Sequence, residues 1–171
     1  LFVLVPVGCG MGIAAADMLT PPETEAVLTW IARRARDAGI ELRPTCAPQY
    51  RRVAAAVAAV DGLPDSGARE GGCLAGRSIV FVSHRGAVRP CGYLPLTAGS
   101  IRERPLADIW RDSALLADIG GRQGLGGGCA TCAWSDRCGG CRARAFGTTG
   151  DLHAAEPTCP VAQPAVGFTS G

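Results

Sequence analysis

Four cysteines lie within the thirteen residues from Cys129 to Cys141, which read CATCAWSDRCGGC. They form two pairs, each with two residues between the thiols, and only five residues separate the pairs. The chain of 171 residues has nine cysteines, an odd number, so complete pairing into internal disulfides is excluded. Clustered thiols in a reducing compartment are typical of metal ligands. The spacing therefore predicts that this part of the chain folds around metal.

The number of thiols bears on the kind of metal site. Seven cysteines lie between positions 73 and 159: 73, 91, 129, 132, 138, 141 and 159. One tetrahedral zinc ion would use four of them, whereas two four-iron clusters would need one ligand more, from Cys46, water or substrate. Zinc pairs are usually separated by more than about ten residues, so the spacing favours clusters and leaves zinc as the alternative. A thioredoxin-like redox pair at CGGC is weaker, because no matching βαβ unit surrounds it.

The charge and composition of the chain argue against some classes of protein. The formal net charge is only +2, which argues against a large nucleic-acid-binding surface. The sequence has no apolar run of membrane-spanning length and no secretion signal near LFVLVPVGCG, so we expect a cytoplasmic protein with no membrane partner. Every basic residue is arginine. This bias is typical of a GC-rich coding sequence, and it also supplies guanidinium groups that bind carboxylates at two points.

Residues 1–60 show an alternating strand and helix pattern. The apolar run 1–7 predicts a buried strand, and Thr20 followed by two prolines and Glu23 predicts a capped helix that ends at Gly39. A second strand (40–45) and a second helix (48–60) follow. This order predicts parallel strands with ligand sites beyond their carboxyl ends. Cys9 and Cys46 come just after such ends.

The rest of the chain reads as a second module. Residues 61–72 are polar and glycine-rich, as in a linker. The turn at Arg85-Gly86 predicts a β-hairpin that leaves Cys73 and Cys91 at its two ends. A helix is predicted from Pro105 to the glycine pair at 120–121, with the Trp110 face in the core. Residues 161–171 are predicted to form a flexible tail.

The order C-X12-G-X4-C, gap, CX2CX5CX2C, gap, C resembles the SPASM extension of radical S-adenosylmethionine (SAM) enzymes, and GGCRARAFGTTGD is similar to its usual ending. The CX2C that closes the cluster departs from the CX3C frequent in that family. The resemblance implies an α/β fold followed by a small α+β domain. Residues 1–60 would be the last β/α units of a partial radical SAM barrel, and 73–160 a SPASM domain with two auxiliary 4Fe-4S clusters.

The resemblance also implies a ligand set. The first auxiliary cluster would be held by Cys73, Cys91 and Cys141, with Cys46 as the candidate fourth ligand. The second would be held by Cys129, Cys132, Cys138 and Cys159. Gly8 and Gly10, which follow the first strand, are candidates to border SAM, although glycines after a strand are a weak signal on their own.

Within this superfamily, TCAPQY, GGCLAG and SHRGAVRPCGYLPLTAGSIRERPLADIW resemble the heme-forming branch. That branch implies oxidative decarboxylation of two propionates of iron-coproporphyrin III, with an electron donor such as flavodoxin or ferredoxin. Arg51, Arg52 and Arg89 are candidates to bind the propionates, although a solvated surface role is the common one for arginine. His84 and His153 are expected to be turn histidines without partners. A peptide-modifying SPASM enzyme and a non-catalytic zinc or electron-transfer module remain as alternatives.

The sequence lacks the CX3CX2C motif that would bind the cluster which cleaves SAM. We therefore expect a C-terminal fragment that is inactive alone, with a third cluster held by a missing N-terminal half. No catalytic residue is assigned from the sequence.

Overall fold

The computed structural model describes residues 1–9, 15–63 and 72–163. Their elements, in chain order, are β1 (Phe2–Leu4), a 3-10 turn (Ala15–Asp17), α1 (Pro21–Arg34), β2 (Arg43–Thr45), α2 (Tyr50–Val60), β3 (Phe81–Val82), β4 (Ala87–Arg89), β5 (Gly99–Ser100), α3 (Leu106–Asp112), α4 (Ala114–Gly121), α5 (Gly127–Ala130), α6 (Arg142–Thr149) and a second 3-10 turn (Pro160–Ala162). None of these helices is long and apolar enough to cross a membrane.

The first part is the predicted β-α-β-α unit. β1 and β2 pair in parallel, with Val3 opposite Pro44. Helix α1 begins at the predicted capping box, in which the Thr20 side chain accepts from the Glu23 amide and the Glu23 carboxylate accepts from the Thr20 amide. It ends at Arg34, before the predicted Gly39, and a turn fills the interval. The two helices enclose an aliphatic core with the sheet, formed by Val5, Leu28, Ile31, Val53 and Val57 with smaller neighbours.

The second part contains the predicted hairpin. β3 and β4 are antiparallel, and β5, which the pattern did not predict, extends the sheet beside β4. The sheet is small, with strands of two or three residues. Cys91 lies two residues after the end of β4.

The predicted helix after Pro105 is interrupted. Ser113 has an extended backbone, ends α3 and caps α4 by accepting a hydrogen bond from the Leu116 amide. This break turns Ile109 and Leu116 into the core but leaves Trp110 37% exposed, so the prediction of a buried Trp110 face was wrong. The serine at the break competes with the helix for backbone hydrogen bonds, which apolar periodicity does not reveal.

The predicted tail begins as packed chain. Ala162 is buried, and the Gln163 amide donates to the carbonyls of Glu156 and Pro157. Residues 164–171 of that segment, and 64–71 of the predicted linker, lie outside the described residues.

Candidate metal centre

Five thiols belong to one core: Cys9, Cys46, Cys73, Cys91 and Cys141. We call the last four, which are the predicted ligands, the first thiol group. Each comes from a different element boundary. Cys46 follows β2, Cys91 follows β4, and Cys141 immediately precedes α6. Val7, Ala75 and Leu94 pack against them. The first thiol group is thus shared by the β-α-β-α unit and the cysteine-rich part of the chain.

Burial dominates the protonation of the first thiol group. Removal from water raises the pKa of Cys46 to about 11, and the nearby Arg144 guanidinium opposes that rise. Burial likewise raises the pKa of Cys141 well above its ordinary value, again opposed by Arg144. Charges on Cys73 and Cys91 add to the rise at Cys46 because these sulfurs are close enough to repel. Binding a metal would therefore displace protons from this group.

Cys46 has an unusual backbone. Its φ of 58° lies in the left-handed region, which non-glycine residues seldom adopt. The Arg144 guanidinium donates to the Cys46 carbonyl at 2.8 Å from Nη2. Backbone of this kind persists where surrounding contacts fix it, and it is concentrated at functional sites.

A second set of thiols lies near the C-terminal end of the described chain, and we call it the second thiol group: Cys129, Cys132, Cys138 and Cys159. Cys129 and Cys159 share a small core with Ala162. Burial, together with the charges of Cys159, Glu156 and Cys129, raises the pKa of Cys138 to about 12, and a hydrogen bond from the Gly140 amide opposes the rise. Cys132 lies outside that core, and its sulfur accepts a hydrogen bond from the Trp134 amide.

Backbone amides point at sulfur throughout the second thiol group. Cys138 accepts from the Gly140 amide at 3.4 Å, and Cys129 accepts from the Glu156 amide at 3.3 Å. Such bonds stabilise thiolate and metal-bound sulfur and help to set cluster potentials. Gly139 and Gly140, both with positive φ, make the turn, and a Cβ at Gly140 would collide with the Arg142 guanidinium. The donors and the tight wrapping suit metal-bound thiolates.

The thiol spacing bears on the zinc alternative. Within the described residues, no three side chains of His, Cys, Asp or Glu converge closely enough to hold one metal ion. A tetrahedral zinc ion with bonds of about 2.3 Å needs its sulfurs about 3.8 Å apart. Around a four-iron cube the cysteine sulfurs stand farther apart, since each is bound to a different iron. The observation that favours clusters over zinc is the sequence spacing, with only five residues between the two CX2C pairs.

The candidate arginines differ in their surroundings. Arg52 pairs with both carboxylate oxygens of Glu25 and reaches the Cys159 sulfur at 3.8 Å, so its side chain is neither free nor solvated. Arg51 and Arg89 each keep one buried N–H atom that has no hydrogen-bond partner among the described residues. Arg52 and Arg142 also have buried side-chain nitrogens without a partner, so this property does not single out Arg51 and Arg89.

The other candidate residues are Gly8, Gly10, Cys9 and His84. Gly8, with φ of 84°, packs on Met18, whereas Gly10 lies outside the described residues. The Cys9 thiol donates to the carbonyls of Tyr93 and Ala143. His84 is exposed in the hairpin turn, as expected.

His153 does have a partner, contrary to expectation. Its Nε2 lies 3.2 Å from an Asp118 carboxylate oxygen. The partner comes from α4, 35 positions earlier, and no local pattern connects the two.

Sequence reasoning also missed the buried pair Arg144 and Glu156, whose charged atoms lie 3.0 Å apart. The only signal was the position of Arg144, three residues after the last cysteine of the cluster. Arginine is mostly exposed in proteins, so nothing local indicated burial.

Comparison with known proteins agrees with this site. Residues 73–142 match the SPASM family, described as an iron–sulfur cluster-binding domain. The chain is 38% identical over 165 residues to the AdoMet-dependent heme synthase of Methanosarcina barkeri, covering 93% of this chain and 46% of the relative. The heme synthase of Nitratidesulfovibrio vulgaris is also 38% identical, with 93% and 45% covered.

A more distant relative is the PqqA peptide cyclase of Methylocella silvestris, 32% identical over 118 residues, covering 64% of this chain and 32% of the cyclase. The chain spans less than half the length of the heme synthases it matches. Residues 73–142 therefore match the SPASM family of iron–sulfur cluster-binding domains, within a chain similar to AdoMet-dependent heme synthases over 93% of its length.

Proposed function

We propose that this chain supplies the auxiliary-cluster part of a radical SAM enzyme that decarboxylates propionates of a tetrapyrrole, iron-coproporphyrin III, to form heme b. One observation carries the proposal. Two groups of buried and half-buried thiols lie in a chain that is 38% identical to AdoMet-dependent heme synthases. An electron donor such as flavodoxin or ferredoxin would complete the system.

The proposed ligands follow the two thiol groups. Cys73, Cys91 and Cys141 hold one 4Fe-4S cluster with Cys46 as the fourth ligand, and Cys129, Cys132, Cys138 and Cys159 hold the other. The shared core and the repulsion among Cys46, Cys73 and Cys91 support the first assignment. The charges of Cys129 and Cys159 raise the pKa of Cys138, and this proximity supports the second assignment.

Bound clusters of this kind accept and pass single electrons. The chain's own residues hold the sulfurs, donate amide hydrogen bonds to them and exclude water from them. Arg51 follows Cys46 by five positions and Arg89 precedes Cys91 by two, and each has a buried N–H atom without a partner. We assign them to the propionate carboxylates, which guanidinium groups bind at two points.

The proposal extends to the domain plan. Residues 1–60 are the last β/α units of the radical SAM barrel, 61–72 the linker, 73–160 the SPASM domain and 161–171 the tail. The parallel pairing of β1 with β2 supports the barrel assignment. Gly8 and Gly10 follow β1 at its carboxyl end, where ligands of parallel α/β folds bind, and we assign them to the vicinity of SAM.

The test uses the intact gene product that carries this chain, purified without oxygen. Iron, acid-labile sulfide and zinc are measured first, and we expect abundant iron and sulfide. About two zinc ions and no sulfide per chain would overturn the cluster assignment. The protein is then given iron-coproporphyrin III, SAM and a strong reductant. Vinyl products are expected, and their absence with intact clusters would overturn the substrate.

The fourth ligand has its own matched test. Cys46→Ala should lower the iron content of the first cluster and change its electron paramagnetic resonance (EPR) signal. Cys9→Ala removes a neighbouring thiol that the proposal leaves unliganded, so it should keep full iron. Equal iron loss in both variants would contradict the assignment of Cys46.

The second candidate function is modification of a peptide, favoured by the similarity to PqqA peptide cyclase. It predicts that a peptide encoded beside the gene is modified in the same assay. The lower coverage, 64% against 93% of this chain, makes it the weaker candidate.

A further inference from the structure

A buried ion pair lies between the two thiol groups. Arg144 Nη1 and Glu156 Oε1 are 3.0 Å apart, and the side chains are 0% and 1% exposed. A buried pair of this kind contributes little to stability by itself, because removing both charges from water costs about as much as their attraction returns. Its placement therefore calls for another explanation.

Arg144 faces the first thiol group. Its guanidinium donates to the carbonyls of Pro6 and Cys46, both at 2.8 Å. These bonds hold a buried positive charge beside the backbone of Cys46, a proposed ligand of the first cluster. The positive end of the pair is directed at the proposed first cluster.

Glu156 contacts both groups. Its Oε2 accepts from the Cys141 amide at 2.6 Å, and its own amide donates to the Cys129 sulfur at 3.3 Å. Thr158 donates to Oε1 through its amide and its hydroxyl, so the carboxylate is held in place on every side.

Resting on the proposed function, we propose that the Arg144–Glu156 pair is the shared electrostatic element that sets the reduction potentials of both auxiliary clusters. Fixed charges beside a cluster shift its potential, because reduction adds negative charge that a neighbouring cation stabilises and a neighbouring anion opposes. The effect is large here because both charges are buried, where the effective dielectric constant is low. In this role Arg144 and Glu156 act through their charges and do not themselves bind iron.

The experiment is a potentiometric titration of the anaerobic full-length protein, followed by EPR. Glu156→Gln keeps the size and an acceptor oxygen but removes the negative charge. At a fixed potential, the ratio of reduced to oxidised cluster should rise at least tenfold. For a one-electron couple this corresponds to a reduction potential that is higher by about 59 mV. Arg144→Gln should shift the ratio in the opposite direction.

Two controls separate charge from packing. Thr158→Val disturbs the same carboxylate without changing its charge, and Arg111→Gln removes an exposed charge that pairs with Asp108 and Asp112 on α3. Both should shift the ratio less than threefold.

Two results would overturn the proposal. One is a Glu156→Gln protein with full iron whose potentials match those of Thr158→Val. The other is loss of iron in Glu156→Gln, which would give the carboxylate an assembly role. In both cases the unmodified protein still contains iron and sulfide. Failure of the proposed function looks different: the unmodified protein would then either contain no clusters or contain intact clusters and form no vinyl product.

Discussion

The β-α-β-α unit and the cysteine-rich part of this chain are stabilised by different interactions. In residues 1–9 and 15–63, Leu28, Ile31 and Val53 are almost completely buried in an aliphatic core. In residues 72–163 the cores contain thiols, and the largest fully buried side chain is a charged arginine, Arg144. The elements there are also short, from two to eight residues. The first region has an aliphatic core, whereas the second mixes aliphatic side chains such as Leu94 and Ile119 with thiols.

Removing iron should produce the largest difference between the two regions in protection from amide hydrogen exchange. When a chelator and oxidant strip the clusters, we expect residues 72–163 to lose most protection from amide hydrogen exchange, because the proposed metal–ligand bonds would hold their short elements together. Helices α1 and α2 should stay protected. Hydrogen exchange with mass spectrometry measures both regions in one sample. Equal protection before and after iron removal would abolish the distinction between them.

Substitution of single cysteines should distinguish the two thiol groups within the cysteine-rich region. Cys91→Ala should lose the first cluster and Cys132→Ala the second, because the two thiols belong to different thiol groups. The hairpin should largely survive in Cys132→Ala. Iron and sulfide analysis with EPR distinguishes the two losses. If both variants lose both clusters equally, the division into two thiol groups is wrong.

A core substitution tests the other region. Ile31 is 0% exposed, so Ile31→Ala should destabilise the β-α-β-α unit by about 2–5 kcal/mol. Arg33→Ala, on the exposed side of the same helix, should change stability by less than about 0.5 kcal/mol. Thermal unfolding of the iron-loaded protein measures both. Cluster content should remain full in both variants, and iron loss in Ile31→Ala at low temperature would show that the regions are not independent.

The smallest effect is expected at the start of α1. Thr20→Ala removes the capping hydroxyl and should cost about 1 kcal/mol, whereas Thr20→Ser should be near neutral. Hydrogen bonds from Thr20 lower the pKa of Glu23 below its ordinary 4.5. A carboxylate with a depressed folded-state pKa contributes stability above its unfolded pKa and loses it as the pH falls through the folded value. The difference between the two variants should therefore shrink below about pH 4.5.

Local patterns predicted much of the fold. The capping box at Thr20, the parallel order of β1 and β2, and the hairpin at Arg85-Gly86 all depend on residues near one another in the chain. The break at Ser113 was missed because its hydroxyl competes with the helix in a way that periodicity does not register. Trp110 was misplaced for the same reason.

The sequence by itself determined the chemistry of the site, because the number, spacing and type of the cysteines limit what they can bind. Tertiary structure alone decided which thiols share a core and that Arg144 and Glu156 lie between the two groups, and it puts Cys46, a candidate from the sequence, in one core with Cys73 and Cys91. Cys46 and Cys141 are 95 positions apart, and they meet in a core that also contains Val7 and Leu94. A contact across that distance depends on the whole fold, and no short stretch of residues encodes it.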